Sequence, residues 1–413
     1  MGPDGVRAGR DPAGTGGHPR GDQPAEAHPG LGRPRPGPVR PVPEEAAEHV
    51  LAVLPARRLQ PGQADPAADP GLRRPGQRAR GPARVHLQRA GHHRGLAAAL
   101  AGPAPVTAQL IDGRACARAL REELAGDVAA LRRDGVGIGL ATLAVGQEYG
   151  AGAYERRLRR LAGELDVPYR HRALDGATTL PEVLAEVALL NADPAVSGIL
   201  VLRPLPAHLD ESVVFRAIDP TKDIESVHPE NAGLLALGVP RFVPSTAASV
   251  FHLLDTWLDS VGEDRTDFYH RANIVVVGRS NNVGKPAISL GYARQATVQS
   301  VDEWADRTTG IGRHTRWADV LVVAAGKAGL IRAEHVSEGA VVIDVGINAR
   351  TGPDGVVHMV GDVDFASVAP RVRAITPVPG GVGPVTDVWL LRTTVTAARL
   401  AAGQPAPSLL EVP

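Results

Sequence analysis

Cysteine occurs once in these 413 residues, at Cys116. That excludes an intrachain disulfide framework and a clustered thiolate metal site, and it fits a reducing cytoplasm. Aromatic residues make up only 3% of the chain. No run approaches the roughly 18–20 uninterrupted apolar residues of a membrane span, so the chain reads as soluble, without a membrane partner. Net charge is also missing: Lys+Arg and Asp+Glu balance at 45 each, so no global field calls for nucleic acid or an anionic surface. Lysine is confined to Lys222, Lys285 and Lys327 amid abundant arginine. Arginine does not replace lysine where a compact amine must exchange a proton, which marks these three for attention.

Hydrophobic content of 43% suffices for real cores, and the length predicts two or three domains at about 150 residues each. Residues 1–106, typified by "GLGRPRPGPVRPVPEE", contain no Phe, Tyr, Trp, Ile or Lys. Without that bulk they cannot offset chain entropy, and they read as a low-complexity, disordered extension with one helix over Glu44–Leu54. From Val106 helices and strands alternate. "DGRACARALREELAGDVAALRRDG" is an amphipathic helix stopped at Gly135, and "GLATLAVG" is a buried strand. "TLPEVLAEVALLNAD" and "TAASVFHLLDTWLDSVG" are helices, while "VSGILVLRPLP" is a strand running into a Pro-rich loop. "ADVLVVAAG" and "GAVVIDVG" add apolar strands further on. The fold class expected is α/β, two parallel-sheet domains around a cleft, the second a Rossmann-type dinucleotide-binding domain.

Three stretches carry chemistry. "GRSNNVG" (Gly278–Gly284) follows four apolar residues, Ile274–Val277, and opens a helix at Lys285–Pro286. Its glycines let backbone approach a phosphate at a helix N-terminus, and Asp302–Glu303 follow near the separation of about 20 residues where an acid meets ribose hydroxyls. The turn alone also fits an unliganded βα connection, but with the acid pair following it a dinucleotide site is the better reading. "TPVPGGVGPVT" (Thr376–Thr386) pairs rigid prolines with permissive glycines before a helix; it reads as a ligand-facing loop or a connector. "DPTKDIESVHPEN" clusters Lys222, Asp223, Glu225 and His228, either to grip a polar ring through carboxylates or as a solvated loop. No metal-ligand spacing is present, so no metal is expected. "YERRLRRLAGEL" (Tyr154–Leu165) is a helix whose stripe of Tyr154, Leu158, Leu161 and Leu165 makes Leu158, on periodicity alone, a core residue.

In series these motifs, with "GDVDF" and "GAVVIDVGIN", resemble the bifunctional methylenetetrahydrofolate dehydrogenase/methenyltetrahydrofolate cyclohydrolase family, over roughly Ala108 to Ala401. The resemblance implies a cytoplasmic homodimer that oxidises 5,10-methylenetetrahydrofolate with NADP and hydrolyses the methenyl product to 10-formyltetrahydrofolate. It implies a folate-binding domain over 107–246 completed by a helix at 384–402, a Rossmann-type domain over 247–383, and a flexible tail over 403–413. Tyr154, Glu225, Pro379, Gly380 and Gly381 become substrate contacts. Gly278, Arg279, Ser280, Val283, Gly284, Asp302, Glu303 and Ile347 become cofactor contacts.

The departures are specific. The family carries a lysine four residues after its tyrosine, an amine that assists proton transfer and water attack; Leu158 stands there. The glutamine that hydrogen-bonds that lysine is Leu202, followed by Arg203. The aspartate at the pterin edge is Glu225, while Ser226 replaces a glycine and Val227 a phenylalanine. Arg157 and Arg159 flank Leu158 but point around the helix and stay protonated. The expectation is therefore dehydrogenation retained and cyclohydrolase impaired. A non-catalytic folate or dinucleotide binder and an altered-substrate dehydrogenase stand as alternatives. Arg279 matches the residue that meets the 2′-phosphate of NADP, whereas Asp302–Glu303 replace a His-Ser pair and suit the free 2′-hydroxyl of NAD.

Overall fold

The computed structural model describes residues 108–146, 149–351 and 357–406. The extension over 1–106, the helix expected over 44–54, and the tail from 407 onward lie outside the described residues. The first half of the described chain runs β1 (Gln109–Leu110), α1 (Gly113–Arg133), β2 (Leu140–Val145), α2 (Tyr149–Glu164), β3 (Tyr169–Leu174), α3 (Leu180–Ala192), β4 (Gly198–Val201), α4 (Glu211–Ala217), α5 (Pro229–Ala236) and α6 (Ser245–Ser260). The second runs α7 (Arg265–Arg271), β5 (Asn273–Val277), α8 (Gly284–Ala293), β6 (Thr297–Val301), α9 (Glu303–Thr309), α10 (Gly312–Thr315), β7 (Val320–Val323), β8 (Val341–Asp344), β9 (Asn348–Thr351), β10 (Val357–Val360), α11 (Phe365–Val368), β11 (Ala374–Ile375) and α12 (Val382–Ala401).

Local chemistry accounts for the helix ends. Asp112 caps α1 by accepting from the N–H groups of Arg114 and Ala115, and Ala117, Leu120, Leu124, Val128 and Leu131 form its buried stripe. Gly135, with φ +73°, provides the left-handed residue just past its end.

Two parallel sheets result. A three-stranded one has the order β3-β2-β4, and a six-stranded one has the order β1-β11-β8-β7-β5-β6. Both faces of β2 and β5 are covered: Ile274 and Val276 belong to one hydrophobic cluster, Val275 and Val277 to another. That is why these strands read as unbroken apolar runs rather than alternating ones. Helix α12 packs against α1, α2, α6 and β4, so the chain's last described helix closes over the three-stranded sheet. The described residues all belong to one compact unit.

Two features depart from the expected organisation. The two residues of β1 pair in parallel with β11, so the start of the described chain joins the six-stranded sheet although α1 packs beside α12. A two-residue strand carries no periodicity to read. The antiparallel pair β9 and β10 likewise leaves no sequence signal, because its mostly exposed strands lack an apolar face.

Among the described residues no helix is long and apolar enough to cross a membrane.

Candidate active site

The carboxyl ends of β2 and β4 lead into the elements that build the first cavity. Tyr154, Leu202, Arg203, Phe215, Glu225, Val227 and Asn282 line a space of about 260 Å³. Three expected site residues, Tyr154, Leu202 and Glu225, thus meet in one place although they come from a helix, a strand end and a loop. Glu225 is anchored by Ser245, whose backbone N–H (3.2 Å) and hydroxyl both donate to Oε1. Burial pushes the Glu225 carboxyl up, with the Ser245 bonds pulling the other way. The Tyr154 hydroxyl is held well above its ordinary value by burial and by the nearby Glu225 and Asp387 carboxylates, so it stays protonated.

The rest of the Lys222–His228 cluster is structural. Asp223 is fully buried and accepts from the N–H groups of Val227 (3.1 Å) and His228 (2.8 Å) and from Asn231 Nδ2 (2.9 Å), closing the loop that presents Glu225. Ser226 sits at φ +52°, a left-handed conformation suited to glycine, and its hydroxyl donates to the Phe242 carbonyl. It therefore does not line the cavity with Tyr154.

Leu158 does not line it either. It is wholly buried, in the same hydrophobic cluster as Leu202, Ile224 and Phe242. The two arginines around it part company. Arg159 pairs with the buried Glu155 at 2.9 Å, on the side of Tyr169. Arg157 turns back toward the site: its guanidinium lies 5.1 Å from the centre of the Tyr154 ring and forms a bidentate pair with Asp387 of α12. The expectation that Arg157 merely points away around the helix is corrected here. At position i+3 from Tyr154 a long side chain reaches the tyrosine's own face. Burial raises the Asp387 carboxyl, and Arg157 draws it back down.

Arg157 and Asp387 also belong to a second cavity of about 360 Å³, lined by Arg114, Ile347, Met359, Pro379, Gly380 and Gly381 among others. The stacked Tyr154 and Arg157 thus stand between the two spaces, and the Pro-Gly loop expected to face a ligand does face one of them.

The dinucleotide turn lies where β5 and β7 end side by side. The chain leaves β5 toward β6 and leaves β7 toward β8, in the order β8-β7-β5-β6, which makes the crevice a topological switch point. Gly278 has φ +116°, and a Cβ on it would fall 2.2 Å from the Ala324 carbonyl oxygen. A Cβ on Gly284 would fall 2.2 Å from the Gly278 oxygen. Ser280 Oγ accepts from the N–H groups of Val283 (3.2 Å) and Gly284 (3.4 Å), setting the turn into the start of α8. This close-packed turn at a helix N-terminus fits a pyrophosphate.

Arg279 and Asp302 do not stand apart as alternative ligands; they form an ion pair at 2.6 Å. Glu303 is not brought to that site. It is the first residue of α9, and its exposed carboxylate pairs with Arg307 at 3.2 Å along the helix. Asn282, Ser245, Arg157 and Asp387 are site residues that sequence reasoning missed. Of these only Arg157 carried a local signal, its spacing from Tyr154. Among the described residues no group of three His, Cys, Asp or Glu side chains is placed to hold a metal ion.

Comparison with known proteins agrees with this architecture. Residues 111–225 match the model for the tetrahydrofolate dehydrogenase/cyclohydrolase catalytic domain, and 244–402 match that family's NAD(P)-binding domain. The chain is 56% identical to bifunctional protein FolD 3 of Rubrobacter xylanophilus over 299 residues, covering 72% of this chain and 94% of that relative. The crystal structure of the bifunctional FolD dehydrogenase/cyclohydrolase from Campylobacter jejuni is similar at 35% identity and TM-score 0.65, over 71% of this chain and 99% of that one. The Trypanosoma brucei FolD, solved with NADP cofactor and inhibitor, is similar at 35% identity and TM-score 0.65, over 71% and 98%. With both domains matched and the Tyr154–Glu225 cavity and dinucleotide turn in place, the chain belongs to the FolD family of methylenetetrahydrofolate dehydrogenase/cyclohydrolases.

Proposed function

We propose that this chain oxidises 5,10-methylenetetrahydrofolate to the 5,10-methenyl form with a nicotinamide dinucleotide, NADP with NAD also admitted, and that the following hydrolysis to 10-formyltetrahydrofolate is impaired. The folate is assigned to residues 107–246 with 384–402, and the dinucleotide to 247–383. A bound oxidised nicotinamide supplies the hydride acceptor. The observation that carries the reading is the cavity lined by Tyr154, Leu202 and Glu225, with Leu158 buried in the same apolar cluster as Leu202.

The two reactions ask different things of the protein. Removing a hydride from the methylene carbon leaves a cation and moves no proton, so stacking and orientation suffice. Tyr154 offers an aromatic face held by Arg157, and Glu225 offers carboxylate oxygens to paired N–H donors on a heterocyclic ring. Hydrolysis requires a water to lose a proton as it attacks the methenyl carbon, and a ring nitrogen to take one as its bond to that carbon breaks. The Tyr154 hydroxyl is held protonated, Arg157 does not deprotonate, and the amine position is a leucine.

The test is the double substitution Leu158→Lys with Leu202→Gln. A lone lysine in that apolar cluster lacks a partner; glutamine at 202 gives it one. The double variant is expected to hydrolyse 5,10-methenyltetrahydrofolate at least about 10²-fold faster than the parent, the low end of a general acid–base contribution. A folded double variant with the parent's rate overturns the assignment of these two positions.

A further inference from the structure

We propose that Asp302 is a specificity-determining residue for the dinucleotide: it holds Arg279 in an ion pair that a 2′-phosphate has to open, and so lets a dinucleotide with a free 2′-hydroxyl compete. The inference rests on the dinucleotide reading of the Gly278–Gly284 turn and deepens it.

Arg279 follows β5 and Asp302 follows β6, the neighbouring strand, so both stand at the carboxyl edge of the sheet where the adenosine ribose of such a ligand lies. All three guanidinium nitrogens are engaged. Nε donates to Ser300 Oγ (2.8 Å), Nη1 to Asp302 Oδ2 (2.6 Å) and Nη2 to the Ser300 carbonyl (3.2 Å). Asp302 is itself held in place, because its Oδ1 caps α9 by accepting from the Ala305 N–H at 3.1 Å. The carboxylate therefore does not swing out of the way at no cost.

The charges decide what this arrangement prefers. A 2′-phosphate brings about −1.5 to −2 of charge beside a fixed carboxylate and competes with it for Arg279. A 2′-hydroxyl donates to one of the lone pairs that Asp302 still has free, and leaves the pair intact. Arg279 is half-exposed, so solvent screens the pair and it opens readily enough to admit NADP. Asp302 thus narrows the margin between the two dinucleotides rather than excluding either.

The experiment uses the full chain and titrates NAD and NADP separately by calorimetry, with kcat/KM for each dinucleotide measured alongside. Asp302→Asn keeps the side-chain oxygen that caps α9 and removes the charge. The expected result is wild-type dissociation constants within about tenfold of each other, and an NADP-over-NAD preference raised about tenfold or more in Asp302→Asn. Arg279→Gln is expected to move the preference the opposite way. An unchanged ratio in Asp302→Asn, or equal loss of both dinucleotides in Arg279→Gln, overturns the proposal. A wild-type chain that binds neither dinucleotide overturns the cofactor reading itself, and with it this inference.

Discussion

Lys222 shows why a residue type survives. Its ammonium donates to the carbonyls of Leu190 (3.3 Å), Asn191 (2.7 Å) and Asp193 (2.8 Å), at and just beyond the end of α3. Three donors on one compact nitrogen meet three converging acceptors, which a planar guanidinium cannot match. The reason for this lysine is geometric, not proton exchange. Lys285 donates to Asn281 Oδ1, and Lys327 gives its backbone N–H to Asp362; none of the three lines the cavity with Tyr154. Glu225 is the titratable residue that matters there. Its carboxyl is raised by burial, so the folded chain binds that proton more tightly than the unfolded chain does. The stability it contributes is present at low pH and lost as pH rises through the raised value. For substrate the sign is opposite, because the ionised form offers the acceptors. We expect kcat/KM for 5,10-methylenetetrahydrofolate to fall on the acid side at a pH above the ordinary glutamate range of about 4.3, and Glu225→Gln to abolish that limb and raise KM. An acid limb that persists in Glu225→Gln assigns the titration elsewhere.

At the scale of elements, α2 and α12 are joined across the site by Arg157 and Asp387, residues 230 positions apart. Asp387 is almost fully buried on its side-chain surface while Arg157 is about half-exposed, so the pair falls between the surface and buried limits. Arg157→Ala strands a buried carboxylate and removes the cation from the Tyr154 ring. It should destabilise the chain by about 1–3 kcal/mol and raise KM for the folate more than it lowers kcat. A denaturation midpoint and KM both equal to the parent's contradict this role. The pair also marks where the sequence stops being legible. The helix carrying Tyr154 is plain from its apolar stripe, and β5 with its glycine turn from one local motif. A partnership between distant residues leaves no such trace, and neither does a strand as short as β1, whose pairing is decided by β11. Glu303 was misplaced for a related reason: Asp302 and Glu303 are adjacent in sequence, but the start of α9 sends their side chains apart, one to Arg279 and the other to Arg307.

For the molecule as a whole, the two sheets place one cavity at the ends of β2 and β4 and one glycine turn at the end of β5, with Asn282 of that turn reaching the cavity. The two α/β domains and the family were legible because several specific motifs occur in one order along the chain; the reach of Asn282 into the cavity was not. The fate of the chemistry was less legible, since Leu158 is a satisfactory core residue on any pattern argument and only its neighbours give the position meaning. The central proposal is that the scaffold retains the hydride step while the proton-dependent one is impaired. Its most direct test is the product distribution from 5,10-methylenetetrahydrofolate and NADP at saturating protein, followed spectroscopically. The account predicts dinucleotide reduction with 5,10-methenyltetrahydrofolate accumulating and decaying at its uncatalysed rate. Appearance of 10-formyltetrahydrofolate in step with dinucleotide reduction would contradict it.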